Sequence, residues 1–178
     1  MKSILNSIIL IGFKHVGKSV IGRELASQLK LPFIDIDEEI ERLFANEHKE
    51  KMTCRQIMNV YSQSYFRNIE KRSLAQISQS TTSVISVGGG TPVDKENQKL
   101  IKNNTIIHIE APRDVVFERI MIQGRPAFFS AEESPLASFN RLWNERDKIY
   151  RKLANFSIEN DGLVASAIDQ ILKNLPIN

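Results

Sequence analysis

IILIGFKHVGKSVIGRELA, residues 8–26, begins as four consecutive apolar residues, passes through Gly12-Phe13-Lys14-His15-Val16-Gly17-Lys18-Ser19, and then resumes a helix-like pattern. The apolar run reads as a buried strand. Between that strand and the following helix stands the spacing G-x-x-x-x-G-K-S, the phosphate-binding P-loop, whose backbone N–H groups wrap around phosphates. Gly17 lets the backbone come close to an anion. Lys18 is expected to face solvent until a nucleotide arrives and then to reach its β- and γ-phosphates, while the Ser19 hydroxyl ligates the accompanying Mg²⁺. An NTP site is the strongest inference the stretch allows, because a chance glycine-rich turn would not need both flanking elements.

Outward from this stretch, apolar runs alternate with segments of helical period. LPFIDID is followed by a polar, helical region from Glu38 to about Ser80; then come SVISVGG, a helix near Lys95 to Lys102, TIIHIEA, helices from Arg113 and from about Pro135, ANFSIEN, and LVASAIDQILKNL. Short β-branched runs separated by helices indicate a parallel sheet buried on both faces. The expected fold is a three-layer α/β/α sandwich on a five-stranded parallel sheet, with ligands at the C-terminal strand ends. No linker interrupts it, so residues 1–178 read as a single domain.

Composition limits the chemistry. The 178 residues carry 24 Lys+Arg against 21 Asp+Glu, a net charge of +3 that suits small anions and gives no case for nucleic acid. No run approaches a membrane span, and the N-terminus lacks the cleavage site of a secretory signal, so a cytoplasmic location is expected. The single cysteine, Cys54, excludes an internal disulfide and a Cys-based zinc site.

Three further features carry potential chemistry. Asp35 and Asp37 stand two apart at the end of a strand, so their side chains are expected to point the same way into one cleft. One could hold Mg²⁺ through water and the other accept a hydroxyl proton; alternatively, Asp37 or Glu38 simply starts a helix. Gly88-Gly89-Gly90 at a strand end leaves open N–H groups against which a small ligand can lie, or else makes a tight turn. Arg67, Arg125 and Arg146 are candidates in combination.

That combination resembles the shikimate kinase family. Its motifs appear in order as the P-loop, Phe33-Ile34-Asp35-Ile36-Asp37, Phe66-Arg67-Asn68-Ile69-Glu70, Gly88-Gly89-Gly90, Arg125-Pro126, and Arg146 through Tyr150. The resemblance implies a P-loop fold of the nucleoside-monophosphate-kinase type and ATP-dependent, Mg²⁺-requiring phosphorylation of the shikimate 3-hydroxyl by a monomer. It implies catalytic roles for Asp37, Lys18 and Arg125. ATP would lie against Gly12, His15, Val16, Gly17, Lys18, Ser19 and Val20, with Arg119 and Arg125; Ser19 and Asp35 would serve the metal. Shikimate would lie against Asp37, Arg67, Gly88, Gly89, Gly90 and Arg146, with Glu70 holding Arg67. Two alternatives share the fold, a kinase of another small hydroxy acid such as gluconate and a non-catalytic nucleotide-binding relative.

The chain departs from the family pattern at several positions. Many members have glycine at His15, here expected to be a solvent-facing loop residue, and Ser/Thr at Val20. The family's Gly-Glu is here Ser62-Gln63, and the adenine loop is shortened to Glu159-Asn160-Asp161-Gly162. Residues 124–135, which follow no period and would expose Phe128 and Phe129 in an open loop, are expected to form a lid that brings Arg125 onto the transferring phosphoryl group.

Overall fold

The computed structural model describes residues 6–77, 81–126 and 128–175. Strand β1 (Ile8–Ile11) is fully buried and lies at the centre of a five-stranded sheet of order β2-β3-β1-β4-β5, every pairing parallel. Its neighbours are β3 (Val84–Ser86) and β4 (Thr105–Glu110), with β2 (Phe33–Asp35) and β5 (Phe156–Glu159) at the edges. The chain leaves β1 toward one edge and returns to its other side at β4. The P-loop therefore emerges where the strand order reverses, the point at which open α/β sheets bind ligands.

Helix α1 (Lys18–Leu29) begins directly after Gly17, whose φ of 99° is a left-handed conformation. It ends at Lys30, also left-handed, whose N–H is taken by the Ala26 and Ser27 carbonyls. Later helices fall where the sequence places them: α5 (Lys95–Ile101), α6 (Arg113–Ile122), α7 (Pro135–Leu153) and α8 (Val164–Asn174). A short 3₁₀ turn, Thr91–Val93, follows the triple glycine. Helices α5 and α7 start at the side-chain caps of Asp94 and Ser134. None of the described helices is long and apolar enough to cross a membrane.

The region read as helical from Glu38 to about Ser80 is three helices, α2 (Ile36–His48), α3 (Cys54–Tyr61) and α4 (Gln63–Ile77); residues 78–80 lie outside those described. Helix α2 starts earlier than expected. The side chain that caps it belongs to Asp35, which accepts the Asp37 N–H, so Asp37 lies in the helix and not on the strand. Lys49, at φ 59°, ends α2, and a capping box of Thr53 and Gln56 starts α3.

Between α3 and α4 stands Ser62 at φ 101° and ψ 160°, a region that only glycine adopts without strain. Its hydroxyl accepts the Tyr65 N–H and so caps α4. The strain outweighs the cap: Ser62→Gly is expected to add ~1 kcal/mol of stability and to raise the melting temperature by ~2–4 °C. Ser62→Ala, which keeps the strain and loses the cap, should lower it. Thermal melts of the two variants check both signs.

Candidate active site

The C-terminal ends of β1, β2 and β3, together with α3, α4, α6 and α7, enclose a cleft of about 660 Å³, within the size range of small-molecule sites. Lys18, Ser19, Asp35, Asp37, Arg67, Gly88, Gly89, Gly90, Arg119 and Arg146 all line it. Residues separated by more than 120 positions thus meet in one place, because parallel strands end on the same side of the sheet.

At the P-loop, Lys18 does not face solvent as expected. Its ammonium folds back into the loop and donates to the Gly12 carbonyl at 3.1 Å and the Phe13 carbonyl at 2.7 Å, leaving the residue buried. Burial pulls its pKa down to about 8 against the opposing pull of Asp37 and Asp35. Ser19 donates to one Asp35 oxygen at 2.5 Å, and the other Asp35 oxygen caps α2. The helix start expected at Asp37 or Glu38 thus belongs to Asp35, and this one carboxylate both caps α2 and faces the P-loop hydroxyl.

Asp37, in the first turn of α2, opens onto the cleft. Burial pushes its pKa up to about 6, and Asp35 adds to the rise while Lys18 resists it. Solvent still reaches the carboxylate through the cleft mouth and tempers that shift; closing the cleft over substrates would enlarge it.

The arginine end is built around Glu70, which is almost fully buried. One of its oxygens accepts from Arg67 at 2.7 Å and the other from the Thr91 hydroxyl at 2.7 Å. A Cβ at position 90 would lie 2.5 Å from the Arg67 guanidinium, so Gly90 is the residue that lets Arg67 lie there. Arg146 is stacked between the rings of Phe13 and Phe128, 5.4 and 5.5 Å from their centroids, and burial lowers its pKa. Tyr150, one turn further along α7, donates its hydroxyl to the Gly89 carbonyl.

Several expected site residues are placed differently. Arg125 is off the cleft wall: its guanidinium donates to the carbonyls of Ser130 and Glu133 within its own segment. Phe129 is buried and Phe128 half-buried, so neither ring is left bare. Gly12 and Val16 frame the loop from behind without lining the cleft. His15 is half-buried, not solvent-facing; its φ of 65° is a conformation that favours glycine. Its carbonyl accepts from Arg119 at 3.1 Å, and burial, with Lys14, Lys18 and Arg119 adding, lowers its pKa to about 4, leaving it neutral at physiological pH. Val20 is 61% exposed and offers the cleft only methyl groups.

Sequence reasoning missed Lys14, Arg55, Thr91 and the tie made by Tyr150. Lys14 adds a cation to the cleft wall from inside the P-loop, where its charge could have flagged it. Arg55 on α3 reaches the Gln123 and Arg125 carbonyls at 3.4 and 3.1 Å, a long-range contact with no local signal.

A P-loop after the central strand of a five-stranded parallel sheet, opening onto a cleft with a carboxylate pair and two buried or half-buried arginines, defines a P-loop kinase of small molecules. Within that class, the family model for shikimate kinase matches residues 14–176, and the chain belongs to the shikimate kinase family. It is 35% identical over 164 residues to the shikimate kinase of Persephonella marina, covering 89% of this chain and 91% of that protein. It is 34% identical over 143 residues to the bifunctional shikimate kinase/3-dehydroquinate synthase of Thermotoga maritima, covering 80% of this chain but 27% of that longer protein. The structure of the shikimate kinase from Acinetobacter baumannii in complex with shikimate matches with a TM-score of 0.84 at 27% identity, over 95% of this chain and 92% of that one.

Proposed function

We propose that the chain transfers the γ-phosphoryl group of ATP to the 3-hydroxyl of shikimate, yielding ADP and shikimate 3-phosphate. The observation that carries this reading is the convergence of Arg67, Arg146 and the triple glycine with the P-loop in a single cleft. Two guanidiniums suit a carboxylate, which each can grip bidentately, and the Gly89 N–H adds a neutral donor. Asp37, its pKa raised to about 6, accepts the proton of the attacking hydroxyl, and Lys18 neutralises charge on the transferring group.

The donors at Ser19 fit Mg²⁺. Among the described residues no group of three or more His, Cys, Asp or Glu could hold a metal. Ser19 and Asp35 instead offer oxygens at one spot, and Mg²⁺ takes one or two protein oxygens together with waters and phosphates. Bound there, the ion would supply charge neutralisation at the β- and γ-phosphates.

The same reading makes 124–135 a lid of a single domain. Arg125 would have to exchange the Ser130 and Glu133 carbonyls for the phosphoryl group as the lid moves. A cytoplasmic monomer completes the proposal. ADP release measured in parallel on shikimate, quinate and gluconate tests it: turnover is expected with shikimate, and its absence would overturn the assignment.

The carboxylate clamp predicts a split in the kinetics. Arg146→Ala should raise the KM for shikimate by ~10- to 100-fold, the loss of a charge-assisted bond worth ~1.5–3 kcal/mol, with little change in the KM for ATP. Arg67→Ala should do the same and also destabilise the protein, because it strands the buried Glu70 carboxylate without its cation. Steady-state kinetics and melts on the two variants separate these effects, and an unchanged KM for shikimate in either would remove that arginine from the clamp.

A further inference from the structure

Asn160 follows the last residue of β5 and is held by its backbone N–H and by both polar atoms of its side chain. Its N–H donates to the Glu110 carbonyl at 2.8 Å, and its side-chain oxygen accepts the Gly162 N–H at 3.1 Å. Its side-chain nitrogen crosses to the P-loop, 144 positions away in sequence, and donates to the Val16 carbonyl at 2.8 Å. The residue is 8% exposed, and the same nitrogen sits so close under the loop that a Cβ at Gly17 would lie 2.5 Å from it.

The Val16 carbonyl and the Gly17 N–H are opposite edges of one peptide plane. In a trans peptide they point in opposite directions, and the plane turns as a rigid unit. Gly17, at φ 99°, lines the cleft, while Val16 is buried behind it. Whatever fixes the carbonyl inward therefore fixes the N–H outward, and a glycine next to that plane leaves it free to rotate unless something does. The bond from Asn160 supplies that restraint.

We propose that Asn160 is a positioning residue of the nucleotide site: by anchoring the Val16 carbonyl, it aims the Gly17 N–H at the bound phosphates. A segment expected to serve only the adenine end of the nucleotide thereby organises its phosphate end. The inference rests on the reading of the P-loop as a nucleotide site given above. Without the anchor the Val16–Gly17 peptide can turn its carbonyl toward the phosphates, where an acceptor would repel an anion.

Binding of ADP with Mg²⁺ and binding of shikimate, measured separately by calorimetry on wild-type protein, Asn160→Leu and Asn160→Ser, tests this. Leucine matches asparagine in branching but offers no donor. Serine is small and polar, so it fits without strain, yet its hydroxyl stops one bond short of the Val16 carbonyl. Both variants are expected to bind ADP roughly ten-fold more weakly, the loss of about one buried hydrogen bond, while their affinity for shikimate stays at the wild-type value. Should Asn160→Leu fail to fold, Asn160→Ser carries the comparison. Wild-type affinity for ADP in a folded variant would overturn the proposal. Equal losses for ADP and shikimate would also overturn it, since they would show a tie that merely supports the fold. A wild-type protein that binds no ADP would overturn the P-loop reading and this inference with it.

Discussion

Lys18→Met is expected to lower kcat by ~10³-fold, the scale of removing one preorganised donor to a charged transition state, and yet to raise the melting temperature of the ligand-free protein at neutral pH. The two effects have one cause. The ammonium is held inside the loop on the Gly12 and Phe13 carbonyls, ready to meet phosphate charge but desolvated before any arrives. Folding lowers its pKa from 10.5 to about 8. Between those values the unfolded chain binds more protons than the folded one, so stability rises with pH across that window, and below about pH 8 the penalty is present in full. At ~1.4 kcal/mol per unit it is a few kcal/mol at most, and the gain in the variant is reduced by the two buried carbonyls that lose their donor. Methionine keeps the apolar stem, so no cavity obscures the comparison. A kcat within ten-fold of wild type would show that Lys18 does not meet the transferring group. A lower melting temperature would show that its two hydrogen bonds outweigh its desolvation.

The prediction turns on a contact that could not be read from the sequence, although the motif that contains it could. The strand, loop and helix of residues 8–29 were legible because their signals are local: an apolar run, fixed glycine spacing, then helical periodicity. That the lysine stem would turn back onto the loop's own carbonyls depends on the path of residues 12–17, which only the folded loop defines. The helical region after β2 shows the same division. Its helical character was legible, but the breaks fall at Lys49 and Ser62, both with positive φ and neither a residue type that announces it. A glycine at position 62 would have given the second break away. Asp35 was legible as an acidic residue facing the P-loop, but its role as the cap of α2 shifts the helix start by two residues and moves Asp37 from strand to helix.

Within the cleft, Arg67 and Glu70 could be paired from their spacing along one helix face, and the structure adds Thr91 as the second partner of the same carboxylate. Arg125 shows the limit. An R-P pair at the start of an aperiodic segment says that a cation is available near the cleft, but not where its guanidinium rests; here the carbonyls of Ser130 and Glu133 hold it. Phe128 and Phe129 were expected to be costly to expose in an open segment, and Phe129 is buried with its ring edge-on to Phe128, a placement the sequence could not specify. Loop side chains find partners through tertiary geometry, and a single sequence carries little of that geometry outside periodic elements.

Asp37→Asn should lower kcat by ~10²- to 10³-fold and remove the acid limb of the pH profile. In the wild-type protein kcat/KM is expected to rise with pH to an inflection near pH 6, where burial and the neighbouring Asp35 have placed the Asp37 carboxyl, and to fall again near pH 8 as Lys18 loses its proton. Such a profile reports groups of the unliganded enzyme, so contacts formed only in the complex should not displace these inflections. Asparagine keeps the size of the side chain and leaves the Asp35 cap of α2 untouched, but it cannot take the hydroxyl proton. Its residual rate should be flat through pH 6 and keep the alkaline limb. Stability supplies an independent check. A carboxyl whose pKa is raised from 3.8 to about 6 on folding binds more protons in the folded than in the unfolded state across that interval, so it destabilises the protein as pH rises through it. Asp37→Asn should therefore melt above wild type at pH 7.5, and the two should converge toward pH 4. An acid limb that survives in Asp37→Asn would assign that titration to another group and leave Asp37 with orientation of the hydroxyl alone. Melting curves that stay parallel from pH 4 to 7.5 would show that solvent in the cleft holds the Asp37 carboxyl near its ordinary pKa, and the wild-type acid limb would then have to lie well below pH 6.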